Sequence, residues 1–500
     1  MSRPIRSLLI ANRGEIAIRV IRTCRAMGIE TVAVYSEADA QALHVREADR
    51  AILIGQAPSS ESYLRTDRIV AAAKDAGVDA IHPGYGFLSQ NGEFADACAL
   101  AGITFIGPPG DVHRLMGDKK AARQQVQKFG VPVVPGYDGD DQSNERLLAE
   151  ATRVGYPLMI KPSRGGGGKG MHVTHSAAEF EAVLPRARRE SQSSFGSDIV
   201  VLERFVQKPR HIEVQVLFDQ HGNGVHLFER ECSVQRRHQK VFEETPSVAL
   251  DQDLRQRLCA AGMAAAAAAK YVNAGTVEFL LDSSGEFYFL EMNTRLQVEH
   301  PVTEMTLGLD LVRLQIEIAE GKPLPFSQWH LTPRGHAIEA RLNAEDPRHN
   351  DAPSPGRILH FEEPRGPFVR CDTGVASGSV VPEFYDPMIA KIIASGPTRE
   401  AARTSLLEAL RDLVVLGIAT NRERLIQILE SEPFRSGRIH TGVLDEIGPL
   451  PAETPPLPED LALIAAALEA GVTSSLLPAG AEQAATRPDP WAATTAWRLS

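Results

Sequence analysis

The stretch 275–304 constrains the fold of this chain more than any other part of the sequence, because it combines two strand-like runs with a dense set of polar side chains. The runs 276–281 and 286–292 are rich in β-branched and aromatic residues and flank the turn sequence Asp-Ser-Ser-Gly. This pattern predicts an antiparallel hairpin whose two-residue loop is Ser283 and Ser284. The loop length in turn sets which side chains share a face of the hairpin.

The predicted register brings oxygen-bearing side chains to one face of the hairpin. In this register Glu278 lies opposite Phe289 and shares its face with Phe287. Glu291 and Asn293 follow on that face at alternate positions of the second strand. Two carboxylates and an amide on an otherwise apolar face need a cation to balance their charge. Hard oxygen ligands in small number suit Mg²⁺ that bridges the phosphates of a nucleotide, so we predict a magnesium site here.

The residues directly after the second strand extend the polar patch. Arg295, Gln297 and Glu299 alternate with apolar residues, so a guanidinium, an amide and a carboxylate are directed to one side. The sequence E-M-N-T-R-L-Q-V-E-H-P-V-T-E across this segment resembles the signature of biotin carboxylase, an enzyme of the ATP-grasp superfamily. The resemblance extends over about residues 5–445, through many motifs in the same order.

Composition limits the class of protein. The chain has 500 residues, 43% of them hydrophobic, which is enough for three or so domains. A formal net charge of −11 argues against a nucleic-acid partner. Five cysteines without C-x-x-C spacing indicate neither zinc nor disulfides and fit a reducing cytoplasm. We expect no membrane span, because no apolar run reaches about 18 residues, and no targeting peptide, because the first strand begins at residue 7.

The opening of the chain predicts a parallel α/β layer. A strand at 7–11, a helix at 13–27 and a strand at 31–36 form a βαβ unit, and strands around 78–82 and 103–106 alternate with further helices. The first turn, A-N-R-G-E, lacks the G-x-G-x-x-G pattern, so dinucleotide binding is not predicted.

A second turn of this layer resembles a biotin carboxylase motif. The segment I-H-P-G-Y-G-F-L-S-Q-N at 81–91 follows a strand, where α/β sheets place ligands. The resemblance assigns Tyr85 to the bicarbonate and biotin end of the site. Gln90 stands where the family has an acid, which removes one negative charge from that end.

A glycine-rich run follows the strand predicted at 157–161. Successive glycines have little conformational preference, and their N–H groups can approach an anion closely. The run is neither a Walker P-loop nor a kinase loop, and a flexible linker does not normally sit between two strands. We predict a mobile lid over phosphates, with Lys161 on the strand beneath it. The lid glycines are Gly165, Gly166, Gly167 and Gly168.

The resemblance assigns the remaining site residues. The alternating strand 210–218 places His211, Glu213 and Gln215 on one face. The mixed-charge segment 229–244 would by itself be a solvated edge strand, but it matches the family pattern R-D-C-S-x-Q-R-R-H-Q-K. The ATP-binding residues implied besides the glycines are Lys119, Lys161, Glu203, Phe205, Val206, His211, Gln235 and His238. The catalytic residues implied are Glu299, Arg341, Arg295 and Lys240, and the bicarbonate and biotin residues are Arg295, Gln297, Val298, Glu299, Arg341 and Tyr85.

The fold class expected is mixed α/β and α+β. We expect an N-terminal parallel α/β domain at 1–115, an ATP-grasp domain at 116–325 with its lid at about 134–206, and a C-terminal β-rich domain at 335–446. The remainder, 447–500, reads as a proline-rich linker with a short helix at 459–469. This tail resembles the entry to the connecting region of acyl-CoA carboxylase α subunits. It is most similar to the methylcrotonyl- and geranyl-CoA carboxylase types.

The function implied is ATP- and bicarbonate-dependent carboxylation of biotin through carboxyphosphate. The cofactors expected are ATP, Mg²⁺ with Mn²⁺ as a substitute, and biotin on a carrier domain. These 500 residues hold no Met-Lys-Met motif, so the carrier is expected from another chain or another part of the protein. A carboxyltransferase (β) subunit and a homo-oligomer or larger hetero-oligomer are expected partners. Two alternatives are another ATP-grasp ligase joining a carboxylate and an amine, and a catalytically silent nucleotide-binding scaffold.

Overall fold

Parallel strands and amphipathic helices alternate at the start of the chain, as the apolar periodicity predicts. The computed structural model describes residues 4–163 and 170–450. Its first strands are β1 (Ser7–Ile10), β2 (Glu30–Ser36), β3 (Arg50–Gly55), β4 (Ala80–His82) and β5 (Thr104–Phe105). They pair in parallel in the order β3-β2-β1-β4-β5. The helices here are α1 (Gly14–Met27), α2 (Leu43–Glu47), α3 (Thr66–Ala76), α4 (Gly92–Leu100) and α5 (Gly110–Gly117). The predicted α/β layer is confirmed.

A small antiparallel sheet follows and has its own core. After α6 (Lys119–Gln127), its strands are β6 (Gly136–Tyr137), β7 (Leu158–Pro162), β8 (His172–Thr174) and β9 (Val200–Arg204). They pair in the order β6-β9-β7-β8. Two helices, α7 (Asn144–Val154) and α8 (Ala177–Phe195), pack on the sheet through a separate cluster of buried apolar residues that includes Leu158, Phe180 and Leu202.

The remaining elements build a large antiparallel sheet and the structures that cover it. The strands are β10 (Arg210–Phe218), β11 (Gly224–Arg236), β12 (Gln239–Thr245), β13 (Asn273–Leu281), β14 (Phe287–Asn293), β15 (His336–Asn343), β16 (Glu345–Asp346), β17 (Ala352–Pro353), β18 (Gly356–Arg357), β19 (His360–Glu362), β20 (Val369–Thr373), β21 (Val380–Val381), β22 (Met388–Gly396) and β23 (Val414–Leu416). The helices are α9 (Gln252–Ala268), α10 (His300–Leu307), α11 (Leu311–Ala319), α12 (Arg399–Asp412), α13 (Arg422–Glu430), α14 (Glu432–Arg435) and α15 (Val443–Ile447).

The large sheet has eight strands in the order β14-β13-β10-β11-β12-β15-β22-β20. Strands from well-separated parts of the sequence therefore meet in one surface. The pair β12 and β15 joins the central part of the chain to the C-terminal part, with Glu243 opposite Glu339. The mixed α/β and α+β fold class is confirmed, while the predicted domain boundaries stay predictions.

The hairpin of β13 and β14 forms, but its predicted register is wrong. Asp282 donates its N–H to the carbonyl of Glu286 at 2.9 Å, so the loop has three residues, and Gly285 takes the left-handed conformation at φ 85°. Phe289 lies opposite Phe279 rather than Glu278. Three-residue loops that end in such a glycine are a common hairpin form that the sequence also permitted.

A register shift in the same hairpin restores the predicted meeting of polar groups. Between Phe279 and Glu278 the pairing moves by one residue, with Leu290 as the extra residue, so that Glu278 lies opposite Glu291. The shift reverses the faces beyond it, because side chains alternate along a strand. Phe279 packs edge-on against Phe289 on the apolar side, with ring centroids 6.4 Å apart. The prediction that Glu278 and Phe289 share one face is therefore wrong. Glu278 instead lies directly opposite Glu291.

Some sequence-based predictions lie outside the described residues. They are the lid glycines Gly165–Gly168, the helix at 459–469 and the tail beyond residue 450. Across 4–163 and 170–450, we find no helix with both the length and the apolar character that crossing a bilayer requires.

Candidate active site

A cleft of about 720 Å³ lies along the large sheet. The hairpin strand β14 and the segment 294–299 form one wall, and the start of α6 closes one end. Many of the predicted site residues line it together, as does Gln90 from the N-terminal layer. The predicted residues in the lining are Lys119, His211, His238, Lys240, Glu278, Glu291, Asn293, Arg295, Gln297, Val298, Glu299 and Arg341.

The hairpin supplies three oxygen-bearing side chains to the cleft. Glu278 and Glu291 are cross-strand partners, and Asn293 Nδ2 donates to Glu278 Oε1 at 2.9 Å. Lys119 Nζ lies 3.2 Å from Glu291 Oε2. Burial opposes ionisation of Glu278, but Lys240 and His211 outweigh it and hold the pKa of Glu278 well below its usual range. The hairpin thus presents two carboxyl groups and an amide to the cleft, with Lys119 beside Glu291 and Lys240 beside Glu278.

Lys240 is the centre of the charge cluster in this cleft. Its Nζ lies 2.6 Å from Glu213, 3.0 Å from Glu278 and 2.5 Å from Glu299. Burial alone would lower the pKa of Lys240, but the neighbouring Cys232 thiol and the three carboxylates raise it well above its usual value. The ammonium group therefore stays charged and holds three acids from separate strands and segments together.

Glu299 is fully buried between two cations. Its Oε1 contacts Lys240 at 2.5 Å, and its Oε2 accepts a hydrogen bond from Arg341 Nη2 at 2.9 Å. Burial opposes its charge, but Lys240 and Arg341 lower the pKa of Glu299 well below the ordinary value. Glu299 is therefore a carboxylate at neutral pH and can accept a proton.

The segment before Glu299 forms the predicted polar cluster. Arg295 Nη1 donates to Gln297 Oε1 at 2.6 Å, and Gln297 Nε2 donates to Glu278 Oε1 at 3.1 Å. Leu296 between them is fully buried, whereas Val298 lines the cleft together with Gln297 and Glu299, so the strict apolar–polar alternation stays a prediction. The Val298 carbonyl accepts from Lys391 Nζ at 2.8 Å, so the backbone of this segment is tied to β22.

The small sheet bounds the other end of the site. Lys161 on β7 pairs with Glu203 on β9, and Arg123 Nη1 lies 3.3 Å from the same carboxylate. Phe205 and Val206 follow β9. The N–H of Phe205 donates to the Pro157 carbonyl at 2.9 Å, and Val206 is buried. Of the predicted nucleotide residues, Lys119, Lys161 and Glu203 are thus brought together at this end, next to Phe289.

Strained backbone directs two side chains toward the cleft. Arg237 and His238, in the two-residue turn between β11 and β12, have φ values of 49° and 67°. Left-handed conformations cost non-glycine residues of order 1–3 kcal/mol and are concentrated at functional sites. Close by, Gln235 Nε2 contacts His211 Nδ1 at 2.7 Å, and His211 Nε2 lies 3.1 Å from Glu278. The turn thus adds Arg237 and His238 to the lining of the cleft.

Several predicted site residues are absent from the described lining of the cleft, namely Tyr85, Phe205, Val206 and Gln235, while Lys161 and Glu203 line the small-sheet end; other residues were missed. The ring centroid of Tyr85 lies 5.8 Å from Lys391 Nζ. Arg230, missed from the sequence, is fully buried and donates to Glu213 at 2.6 Å. Glu243, also missed, contacts Arg341. Strand alternation could have placed Glu243 on a face, but not against Arg341, which is 98 residues away in the sequence.

The fold and the site together define an ATP-grasp enzyme, an ATP-dependent ligase. The residues 118–327 match the family described as carbamoyl-phosphate synthase L chain, ATP binding domain. Residues 4–112 match the N-terminal domain of biotin carboxylase, and residues 339–446 match its C-terminal domain. The chain belongs to the biotin carboxylase family.

Curated relatives agree with this assignment. The chain is 51% identical over 443 residues to methylcrotonoyl-CoA carboxylase subunit alpha, mitochondrial, of Rattus norvegicus, covering 88% of this chain and 62% of the relative. It is 49% identical over 440 residues to a biotin carboxylase of Nostoc sp., covering 88% of this chain and 98% of the relative. The chain thus spans about three fifths of the length of the methylcrotonoyl-CoA carboxylase relatives.

Solved structures are similar at the level of the whole fold. The biotin carboxylase domain dimer of Hydrogenobacter thermophilus 2-oxoglutarate carboxylase, in complex with MgADP, ADP and bicarbonate, matches with a TM-score of 0.86 and 43% identity. The match covers 89% of this chain and 98% of that chain. A Campylobacter jejuni biotin carboxylase complex matches with a TM-score of 0.86 and 45% identity, covering 88% and 99%.

Proposed function

We propose that this chain carboxylates biotin at the expense of ATP and bicarbonate. The observation that carries the proposal is the position of Glu299, an ionised carboxylate held between Lys240 and Arg341 in the same cleft as the hairpin acids. An ATP-grasp ligase that activates another carboxylate would need the hairpin acids but not this base and arginine. The family relationship supports the same reaction.

The hairpin fits a divalent cation. Glu278 and Glu291 face each other across two strands, and Asn293 donates its Nδ2 to Glu278, so two carboxyl groups and an amide meet in one place. The amide oxygen of Asn293 accepts from Arg295 Nη2 at 3.3 Å. This set of hard oxygen donors suits Mg²⁺, and Mn²⁺ accepts the same donors. When bound, the metal would neutralise phosphate oxygens of ATP. The solved relative that binds MgADP supports this assignment.

The first half of the reaction forms carboxyphosphate. Bicarbonate binds against Arg295, Gln297 and the Val298 amide, and Glu299 removes its proton. The bicarbonate oxygen then attacks the γ-phosphorus of ATP, and ADP leaves. A base with fixed cations around the developing charge lowers the barrier, because it needs no reorganisation at the moment of reaction.

The nucleotide is held by the residues at the two ends of the cleft. The proposed phosphate contacts are Lys119, Lys161, His211, Gln235, His238 and the lid glycines Gly165, Gly166, Gly167 and Gly168. Glu203, Phe205 and Val206 are the proposed contacts of adenosine. The support is that Lys119, His211 and His238 line the main cleft, and that Lys119, Lys161 and Glu203 line the small-sheet end.

The second half transfers the carboxyl group to biotin. Carboxyphosphate breaks into CO₂ and phosphate, the phosphate takes the N1′ proton of biotin, and the resulting enolate attacks CO₂. Arg341 stabilises the negative oxygen of the enolate, since it is the cation that projects from β15 at the Glu299 end. The biotin arrives on a carrier domain.

The partners follow from the relatives. We propose that the carrier domain and a carboxyltransferase (β) subunit complete an acyl-CoA carboxylase, because several relatives are named methylcrotonoyl-CoA carboxylase subunit alpha. A homo-oligomer is supported by the dimer in one solved relative. We propose a reducing, cytoplasmic location, supported by the five unpaired cysteines.

The test is ADP release by the purified chain with MgATP, bicarbonate and free biotin. We expect release that requires bicarbonate and carboxylation of biotin that requires all three substrates. Glu299→Gln should lose both activities, because the amide cannot accept the bicarbonate proton, and loss of such a group costs about 10²–10⁴ in rate. ATP cleavage that is indifferent to bicarbonate would identify a different ligase, and nucleotide binding without cleavage would identify a scaffold.

A further inference from the structure

Two successive glutamates on β12 face opposite sides of the large sheet. Glu244 bonds to His336 Nε2 at 2.7 Å and to Arg399 Nε at 2.6 Å, away from the cleft. Glu243 accepts instead from Arg341. Both carboxylates are buried and both are paired with an arginine. The two residues therefore differ mainly in which arginine they hold.

Glu243 holds Arg341 by two donors. Arg341 Nε donates to Glu243 Oε1 at 2.7 Å, and Arg341 Nη2 lies 2.5 Å from the same atom. The same Nη2 donates to Glu299 Oε2 at 2.9 Å. The Arg341 guanidinium thus lies between two carboxylates, that of Glu299, the proposed base, and that of Glu243. Glu243 is absent from the described lining of the cleft, so any effect it has on substrate passes through Arg341.

A third carboxyl group lies behind the pair. Glu339 is the cross-strand partner of Glu243, and neither of its oxygens has a hydrogen-bond partner among the described residues. Burial raises the pKa of Glu339 well above its usual value, and raises that of Glu243 to about 7 against the opposing effect of Arg341. Burial thus favours the neutral form of Glu339, while Arg341 favours the carboxylate form of Glu243, to which it donates.

We propose that Glu243 is a positioning residue for the carboxylation of biotin. It keeps the Arg341 guanidinium from pairing with Glu299 alone. An arginine has a long, flexible side chain, and the charge-assisted hydrogen bond from its Nε to Glu243 Oε1 fixes its direction. Without Glu243, the remaining carboxylate partner of Arg341 among the described residues is Glu299. This inference rests on the proposed function, since it assigns Arg341 to the enolate.

The test compares Glu243→Gln with Glu244→Gln as the matched control. For each variant we would measure bicarbonate-dependent ATP cleavage, carboxylation of free biotin and the melting temperature. Glu243→Gln should lower carboxylation about 10- to 100-fold and change ATP cleavage much less, because a misplaced group costs the step that uses it. Glu244→Gln should lower the melting temperature but leave the ratio of the two activities unchanged.

Two further variants separate positioning from general damage. Glu339→Gln should keep the wild-type ratio near pH 7, because an amide replaces a group that is already neutral. The double variant Glu243→Gln with Arg341→Ala should carboxylate biotin no more slowly than Arg341→Ala alone, since residues that act through one another are not additive. If Glu243→Gln does not fold, Glu243→Asp, which keeps the charge but shortens its reach, should show the same lowered ratio.

The outcomes distinguish this inference from the function on which it rests. If the wild-type chain carboxylates biotin and Glu243→Gln keeps the wild-type ratio, or if the double variant loses both factors in full, the positioning role is wrong and the proposed function stands. If the wild-type chain carboxylates no biotin in the presence of all substrates, the proposed function fails, and the positioning role fails with it.

Discussion

The two ends of the candidate active site are built differently. At the large-sheet end, Lys240 contacts three carboxylates within 3.0 Å, and Arg341 bridges Glu299 and Glu243. At the small-sheet end, Lys161 and Arg123 share the carboxylate of Glu203, and Arg123 also lies 3.2 Å from Asp138. The first end is a charge network assembled from four strands and a connecting segment, and the second is the edge of a separate core.

The difference teaches which part of the reaction each end serves. A buried charge network holds its groups in fixed positions, and it is costly to break because each lost partner leaves an uncompensated charge. Such an end suits the chemical steps, where preorganised charge matters most. The small sheet contacts the large one through Arg204 on β9, whose Nη2 donates to Tyr288 Oη on β14 at 2.8 Å. We expect it to govern nucleotide affinity more than the chemistry.

The largest effect is expected from the hairpin acids. Glu278→Gln removes one charge from a proposed Mg²⁺ site and one partner of Lys240. We expect bicarbonate-dependent ATP cleavage to fall by at least about 10³-fold, since both the metal and the cluster lose a ligand. The measurement is ADP release as a function of Mg²⁺ concentration.

Glu286→Gln is the matched control for this change. Glu286 lies in the same hairpin, but its side chain is exposed and its nearest cation, Arg257, is 3.9 Å away. We expect the wild-type rate and the wild-type Mg²⁺ dependence. Equal rates for both variants at limiting Mg²⁺ would contradict the assignment of the hairpin as the metal site.

A smaller and more selective effect is expected from Arg341. Arg341→Ala should retain a larger share of bicarbonate-dependent ATP cleavage than of biotin carboxylation, because the enolate forms only in the second half of the reaction. Loss of one such stabilising contact costs about 10²–10³ in rate, or about 2.7–4 kcal/mol. The measurement is the ratio of the two activities, with Glu299→Gln as the variant that loses both. If both variants lose both activities in equal proportion, Arg341 belongs to the bicarbonate site instead.

The smallest effect is expected at the small-sheet end. Lys161→Met should raise the KM for ATP about 10-fold and change kcat little, because one charge-assisted contact is worth about 1.5–3 kcal/mol. Arg123 remains to pair with Glu203, so the fold should tolerate the change. Lys120→Met is the control, since Lys120 pairs with exposed Asp140. If kcat of Lys161→Met falls as much as kcat of Arg341→Ala, the proposed division between an end for nucleotide affinity and an end for chemistry is wrong.

The hairpin illustrates how far sequence reasoning reaches. The strands and the convergence of Glu278, Glu291 and Asn293 were predictable from periodicity and turn composition. The loop length and the extra residue Leu290 were not, because a three-residue loop and a two-residue loop fit the same letters and a register shift leaves no mark in the pattern. The longer loop and the extra residue each shift the pairing by one position. A shift of two positions returns Glu278 to the face of Glu291 and Asn293.

By itself, the sequence determined the strand and helix order, the polar and apolar faces and, through resemblance to a family, which residues enter the site. These properties depend on neighbours a few positions apart, whose geometry the backbone repeats. Only the tertiary structure decided that Lys240 meets Glu213, Glu278 and Glu299. It also decided that Glu243 rather than Glu244 holds Arg341. Charge partners are set by which distant strands pair and in what register, and that choice depends on the burial of the whole sheet.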